Sequence, residues 1–187
     1  ALADDISFSP SIAVRAEYDD NVYYTRAFKI SDYLTRIKPA FTLDWKTELL
    51  DIRSSFDVDI QRYADEKDMD REDQPYNLDG SYQVTERMAV TGNASYAKDT
   101  TLESELAETG LTGNPLQDRQ RYTGGMGFSY GLSEVSDIGV NYNHTKTDYD
   151  WEGNVDYDMD SLSLSFNSRF NNQLDVFTVQ PHFYHYD

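Results

Sequence analysis

The chain has no cysteine among its 187 residues, so neither a disulfide framework nor a thiolate metal site can be built from it. Basic residues are scarce: 16 Lys and Arg stand against 34 Asp and Glu, for a formal charge of -18. No basic face is left for phosphate backbones, and nucleic acid is not an expected partner. Long apolar runs are missing as well. Mean hydropathy is -0.71, and no stretch approaches the roughly 20 apolar residues that a membrane-crossing helix needs. A helical membrane protein is thereby excluded. The first residues, Ala1-Leu2-Ala3-Asp4, carry neither a basic region nor an apolar core, so a secretory leader is expected to have been removed or never present.

What the chain does have is tyrosine, 15 of them in a total aromatic content of 14%, and an alternation of apolar and polar residues with period two. In the first segment Ile6, Phe8, Ile12, Val14, Ala16 and Tyr18 alternate with Ser7, Ser9, Ser11, Arg15, Glu17 and Asp19. In the second, Tyr33, Ile37, Phe41, Leu43 and Trp45 alternate with Arg36, Lys38, Thr42, Asp44 and Lys46. The third sets Leu50, Ile52, Phe56, Val58 and Ile60 against Asp51, Arg53, Ser55, Asp57, Asp59 and Gln61. Five further segments follow the same rule through Phe170. A ninth, from Leu174 to about Tyr186, is apolar enough for a strand, but either Phe177-Val179-Phe183 or Leu174-Val176-Tyr184 could form its apolar row. The expected fold is all-β.

The connections come in two kinds. Short turns lie at Lys46-Thr47-Glu48, Thr85-Glu86-Arg87, Leu132-Ser133-Glu134 and Asn171-Asn172-Gln173, and long polar loops lie between them at Asp19 to Asp32, Ala64 to Gln74, Lys98 to Asp118 and Asp148 to Asp156. A transmembrane barrel predicts this alternation, with tight periplasmic turns at one rim and long extracellular loops at the other. Charge-free rows of about 10 residues match a bilayer crossed by tilted strands. Aromatic residues gather at the row ends: Trp45, Tyr82, Tyr130 and Phe170 beside the short turns, Tyr18, Tyr33, Tyr76, Tyr96 and Tyr122 beside the long loops. An amphipathic ring gains most where hydrocarbon meets headgroups, so these nine form candidate interfacial girdles. The simpler alternative is the strand preference of tyrosine.

The short turns repeat a motif, an aromatic strand end followed by Ser or Thr and then Glu, in Trp45-Lys46-Thr47-Glu48, Tyr82-Gln83-Val84-Thr85-Glu86 and Tyr130-Gly131-Leu132-Ser133-Glu134. Other local patterns are Ser9-Pro10-Ser11, Glu17-Tyr18-Asp19-Asp20-Asn21-Val22, Ser31-Asp32-Tyr33-Leu34-Thr35 with Ile37-Lys38-Pro39, and Arg62-Tyr63-Ala64 before an acidic loop. With these the chain resembles the putative β-barrel porin family over nearly its whole length. That resemblance implies an up-and-down transmembrane barrel in the bacterial outer membrane, of a kind that often accompanies exopolysaccharide synthesis and export. The expected role is a polar conduit and not an enzyme, the alternative being a structural or adhesive surface protein that acts through its acidic, tyrosine-rich loops. Residues 1–187 then form one barrel region. Nine strands is an odd number, whereas single-chain bacterial barrels have an even one, so the region is expected to be the N-terminal part of a longer barrel or to receive strands from elsewhere.

On this reading Arg15, Glu17, Arg36, Lys38, Arg53, Asp57, Asp59, Arg121 and Arg169 project into the lumen. They either line a hydrated passage for polysaccharide or small polar solutes or pair with one another and fill the interior. The girdles would meet outer-membrane lipid and lipopolysaccharide. His144, His182 and His185 lie without a Ser, Cys or paired acid at useful spacing, which leaves no catalytic candidate. No cofactor is expected. Asp148, Asp150, Glu152, Asn154 and Asp156, with Gly153 at the sixth position, have the spacing of a calcium loop, but Met159 stands where a bidentate Glu is required. A solvated acidic loop is the alternative there. A second acidic run, Asp65, Glu66, Asp68, Asp70, Glu72 and Asp73, could join it in holding divalent cations against lipopolysaccharide phosphates.

Overall fold

The computed structural model describes residues 5–23, 28–100, 118–150, 155–170 and 175–187. They form β1 (Asp5–Asp19), β2 (Asp32–Lys46), β3 (Leu50–Asp57), β4 (Asp59–Tyr63), β5 (Arg71–Thr85), β6 (Met88–Thr100), β7 (Asp118–Gly131), β8 (Ser136–Tyr149), β9 (Tyr157–Phe170), β10 (Asp175–Val179) and β11 (His182–Tyr186), with one 3-10 turn at Lys67–Met69. All pairings are antiparallel and join strands that follow one another, in the order β1-β2-β3-β5-β6-β7-β8-β9-β10. β4 lies between β2 and β5 in line with β3, and β11 extends β10 along β9. Among the described residues β1 and β10/β11 pair on one side only, so the sheet has two open edges.

The all-β reading is seen directly, as are the short turns after β2, β5 and β7, with one difference in strand length; the turn at Asn171-Asn172-Gln173 and most of the Lys98 to Asp118 loop lie outside the described residues. β5 starts at Arg71 and β6 runs to Thr100, so both strands reach further into the expected loops than alternation indicated. Arg71-Glu72-Asp73 is charged on both faces and therefore resembled loop. The repeated turn motif has a specific cause. Thr47 Oγ1 accepts from the N–H of Leu49 at 3.3 Å and of Leu50 at 3.0 Å. Thr85 Oγ1 accepts from Arg87 N–H at 3.3 Å, and Ser133 Oγ from Val135 N–H at 3.3 Å. Each hydroxyl binds the backbone two residues on, which holds the chain in a turn without glycine.

Prolines explain why two of the nine runs are broken. Val58 N–H donates to Pro39 O at 3.0 Å, but Pro39 has no N–H to return, and the strand divides into β3 and β4 at that residue. Leu164 N–H donates to Pro181 O at 3.1 Å, and β10 and β11 divide for the same reason. The register continues unchanged across both gaps. Pro10 behaves differently. Because Pro39 turns its backbone toward β4, the same parity places the missing N–H of Pro10 on the open side of β1, where β2 needs nothing from it.

The two faces are sorted opposite to a water-soluble sheet. Ile6, Phe8, Ile12, Val14 and Tyr18 share one face of β1 and are 60–69% exposed, and every apolar row read from the sequence continues on that face. Gln61, Thr147 and Arg119, on the other face, are 0%, 0% and 3% exposed. The phase of the ninth run is settled by register: Phe183 faces Leu162 and Val179 faces Phe166, so Phe177, Val179 and Phe183 belong to the apolar face. Val176 and Tyr184 belong to the polar one.

The apolar band crosses the strands obliquely. Tyr18 faces Tyr33 at the loop end of β1 and β2. In the middle of the sheet the limiting row is Tyr76-Tyr96-Tyr122, which aligns through Phe56 with Phe41, nearer the turn end than Tyr33. Further on the limit is Tyr142-Leu162-Phe183, aligned with Met126 and nearer the turns again. Beyond the limit that same face carries Arg62, Glu72, Lys98, Asp118, Lys146 and Asp158. A flat band on tilted strands must drift in register in this way. All nine aromatic girdle candidates lie on the apolar face, and Tyr18 with Tyr33 and Tyr96 with Tyr122 bring ring centroids to 5.2 and 5.0 Å.

Face identity is open to test by substitution. Met126→Arg, at the centre of the apolar row of β7, is expected to destabilise the protein in lipid vesicles by about 2–4 kcal/mol. Ser129→Arg on the opposite face is expected to stay within about 0.5 kcal/mol of the parent. Denaturant titration in the same vesicles gives both values.

Candidate functional site

The polar face is the candidate site, because it gathers the charged and hydrogen-bonding side chains of every strand. Along β2 and its neighbours lies a ladder of ion pairs: Arg36 with Asp59 (Nη2 to Oδ2 2.5 Å), Lys38 with Asp57 (2.8 Å), Asp44 with Arg53 (3.6 Å) and Lys46 with Asp51 (2.8 Å). Further across, Arg119 grips Asp99 through Nε and Nη2 at 2.9 and 2.7 Å, and Arg71 donates to Gln61 Oε1 at 2.8 Å. Exposed pairs add only about 0.2–1 kcal/mol each. Their effect is on the field: alternating signs leave this wall polar without a single dominant charge.

In the middle rows of β6 to β9 the same face changes character, to amides and hydroxyls. Gly125 lies between Asn93 and Asn143 on the flanking strands, and Gly127 between Thr91 and Asn141. A Cβ at Gly125 would come within 2.5 Å of Asn93 Oδ1 and closer still to Asn143. Glycine at these two positions lets the amides lie flat against the wall, so close packing accounts for Gly125 and Gly127, while Gly124 faces open space. Thr123 and Thr145 bring their hydroxyls to 3.2 Å, and Asn167 donates to Asp137 at 2.8 Å.

All nine sequence-derived lining candidates share this face by strand parity. Arg15 and Glu17 stand on β1, Arg36 and Lys38 on β2, Arg53 and Asp57 on β3, Asp59 on β4, Arg121 on β7 and Arg169 on β9. The structure joins Arg36, Lys38, Arg53, Asp57 and Asp59 in the ladder and sets Arg121 and Arg169 apart from it.

One apolar core exists among the described residues, and sequence reasoning missed it. Val22, Leu34, Tyr63 and Met69 are buried together with Tyr23 against them. Leu34 and Tyr63 project from the polar face at the loop end, so the β1–β2 and β4–β5 connections fold onto that end of the face. Asp32, 3% exposed, ties them together: its carboxylate accepts N–H bonds from Tyr33 (2.7 Å), Asp65 (2.9 Å) and Glu66 (2.8 Å). The Glu66 N–H, with those of Asp65 and Tyr33 and the charge of Lys67, holds this carboxyl below its ordinary range against the opposing effect of burial. Tyr23 donates to Glu66 at 2.7 Å, and Asp70 accepts Tyr63 N–H at 2.7 Å. Part of the second acidic run thus serves loop closure.

Within the calcium-like loop, Glu152 and Asn154 lie outside the described residues. Asp148 engages Lys146 at 3.0 Å, and Asp156 accepts Tyr149 N–H at 2.8 Å. No group of three His, Asp or Glu suited to a metal converges among the described residues. Two histidines each meet an acid: His144 Nδ1 lies 2.9 Å from Asp160 Oδ1, and His185 lies 3.2 Å from Asp187. The first pair joins residues opposite each other on adjacent strands, which linear spacing does not reveal, and the second joins neighbours at a strand end. Asp160 also accepts the Tyr142 hydroxyl at 2.6 Å, and the cluster lies on the apolar face, away from the ladder.

A family model described as Putative beta-barrel porin 2 matches residues 7–120, more than half of the chain. The chain belongs to this family. The match spans β1 to the start of β7, and so includes the ion-pair ladder, the loop-end core and the Asn93 strand. Membership in a porin family points to an outer-membrane location and to a porin-like channel or structural role. No curated protein and no solved structure matches the chain.

The loop-end unit of this porin-family chain can be opened selectively. Met69→Ala is expected to destabilise that unit by roughly 2–5 kcal/mol, read as faster hydrogen exchange in the β1–β2 and β4–β5 connections while β7 and β8 stay protected. The pH dependence follows from Asp32. Its carboxyl is depressed in the folded state, so the stabilisation is complete above the ordinary carboxylate range and is lost as pH falls through its own lower value. Proteolytic cutting near Asp65 by an acid-active protease should therefore rise with acidification in the parent, and should change little in Asp32→Asn.

Proposed function

We propose that this chain forms the wall of a hydrated conduit across the outer membrane, passing polysaccharide or other hydroxyl-rich, weakly charged solutes without covalent chemistry. One observation carries the reading: the face that would meet lipid is apolar and exposed, while the opposite face is polar, nearly charge-balanced in its ladder and lined by Asn, Ser and Thr from β6 to β9. Such a wall exchanges hydrogen bonds with a hydroxyl-rich solute as water does, so passage meets no deep well and no single-sign barrier. A link to exopolysaccharide export agrees with this lining. The apolar band would contact acyl chains, and the charged row beyond Tyr76, Tyr96 and Tyr122 would contact lipopolysaccharide headgroups.

Closure is required for this function. Open strand edges in hydrocarbon leave backbone groups unsatisfied at several kcal/mol each. Further strands must therefore pair with β1 and with β10/β11, from the same polypeptide or from another copy.

Conductance is the test. The protein reconstituted in planar bilayers should give stepwise currents with weak ion selectivity, and added dextran small enough to enter should lower the step size. Bilayers that stay silent with correctly inserted protein would exclude the conduit.

A further inference from the structure

The polar face is balanced along most of the ladder and unbalanced at one place. Arg15 on β1 lies directly opposite Arg36 on β2, and like charges in that relation repel. Lys38 follows Arg36 on the same face, and the three cations border a cavity of about 190 Å3 whose remaining lining is Ala13 and Asp59. Arg36 is held by Asp59 and Lys38 by Asp57. Arg15 is exposed and makes no ion pair among the described residues. Glu17, next on its row, stands opposite Leu34 and does not border the cavity. In a chain of formal charge -18, three cations around one small cavity with a single carboxylate in its lining are a local reversal of sign.

We infer that this cavity is an anion subsite on the conduit wall, which takes the carboxylate group of an acidic solute between Arg15 and Arg36. The Arg15 guanidinium offers a forked pair of donors that matches a carboxylate, and Arg36 and Lys38 add positive charge beside it. Arg36 stays fixed by Asp59 and Arg15 is left to engage the ligand, so one surplus positive charge meets one negative charge. A carboxylate carries that charge at neutral pH, whereas phosphate carries more. The volume sets the size of the bound part. Water occupies about 30 Å3 in the liquid, so the cavity holds a carboxylate with a few neighbouring atoms, and the rest of the solute remains in the passage. Ala13, which faces Lys38 on β1, leaves that space open, and a larger side chain there would fill it.

The inference rests on the conduit reading for its biological meaning, but its test is separate. Detergent-purified protein at low salt is titrated calorimetrically with sodium glucuronate, glucose and inorganic phosphate. Glucuronate should bind and glucose should not. Arg15→Gln should weaken glucuronate binding by about tenfold or more, Arg15→Lys should restore part of it, and Ala13→Leu should block it. Arg87→Gln, in a short turn far from the cavity, should bind as the parent does, and circular dichroism should show each variant folded. Equal affinity in the parent and Arg15→Gln, absence of glucuronate binding, or a preference for phosphate would each overturn the assignment. Silent bilayers with glucuronate binding intact would remove the conduit and keep the subsite.

Discussion

The structure depends on one constraint: backbone N–H and C=O groups must find partners in neighbouring strands wherever water is absent. Strand follows strand in sequence order, each pairing with the next over nearly its full length, and Pro10, Pro39 and Pro181 stand where the ladder can lose a donor. Pro39 and Pro181 interrupt a strand without shifting its register, and Pro10 turns its missing donor away from β2. With the backbone occupied in this way, only side chains are left to define the two faces, and they do so in reverse of a soluble sheet. The apolar rows are exposed and the polar rows carry the buried groups. Among the described residues tertiary packing is sparse, and their one small core, at Val22, Leu34, Tyr63 and Met69, joins two connections to the loop ends of β2 and β4.

Both faces carry information beyond polarity. On the apolar face the tyrosine limit drifts steadily toward the turn end from β1 to β11, as strands inclined to a flat band require. On the polar face a charged sector on β1 to β5 passes into a sector on β6 to β9 whose middle rows are amides and hydroxyls, with charged groups left at the strand ends. In the first, ion pairs neutralise one another across strands. In the second, glycines at 125 and 127 let Asn93, Asn143, Thr91 and Asn141 lie close to the wall. Membership in the porin family accords with such a two-faced sheet.

Much of this was legible in the sequence because a strand has a side-chain period of two. Rows such as Phe41-Leu43-Trp45 against Thr42-Asp44-Lys46 assign their own faces with no knowledge of neighbours, and the hydroxyl turns at Thr47, Thr85 and Ser133 were visible as a repeated motif. What could not be read depends on register. The pairing of Arg36 with Asp59, the meeting of His144 with Asp160 and the facing of Arg15 with Arg36 follow from which residues lie opposite, and alternation does not contain that. Asp32 was hidden more deeply, since two of its three donors come from a loop on another hairpin. The phase of the ninth run was ambiguous because residues on both faces are apolar, and the pairing with β9 decided it.

The absence of cysteine makes the central claim measurable, since each introduced Cys is unique. Nitroxide labels placed one at a time from Tyr122 to Tyr130 on β7, in protein reconstituted into phospholipid vesicles, should show collision rates with oxygen that peak at even positions. Collisions with a water-soluble nickel chelate should peak at odd positions. Two profiles that rise and fall together, or oxygen peaks at Thr123 and Ser129, would contradict the assignment of the apolar face to lipid.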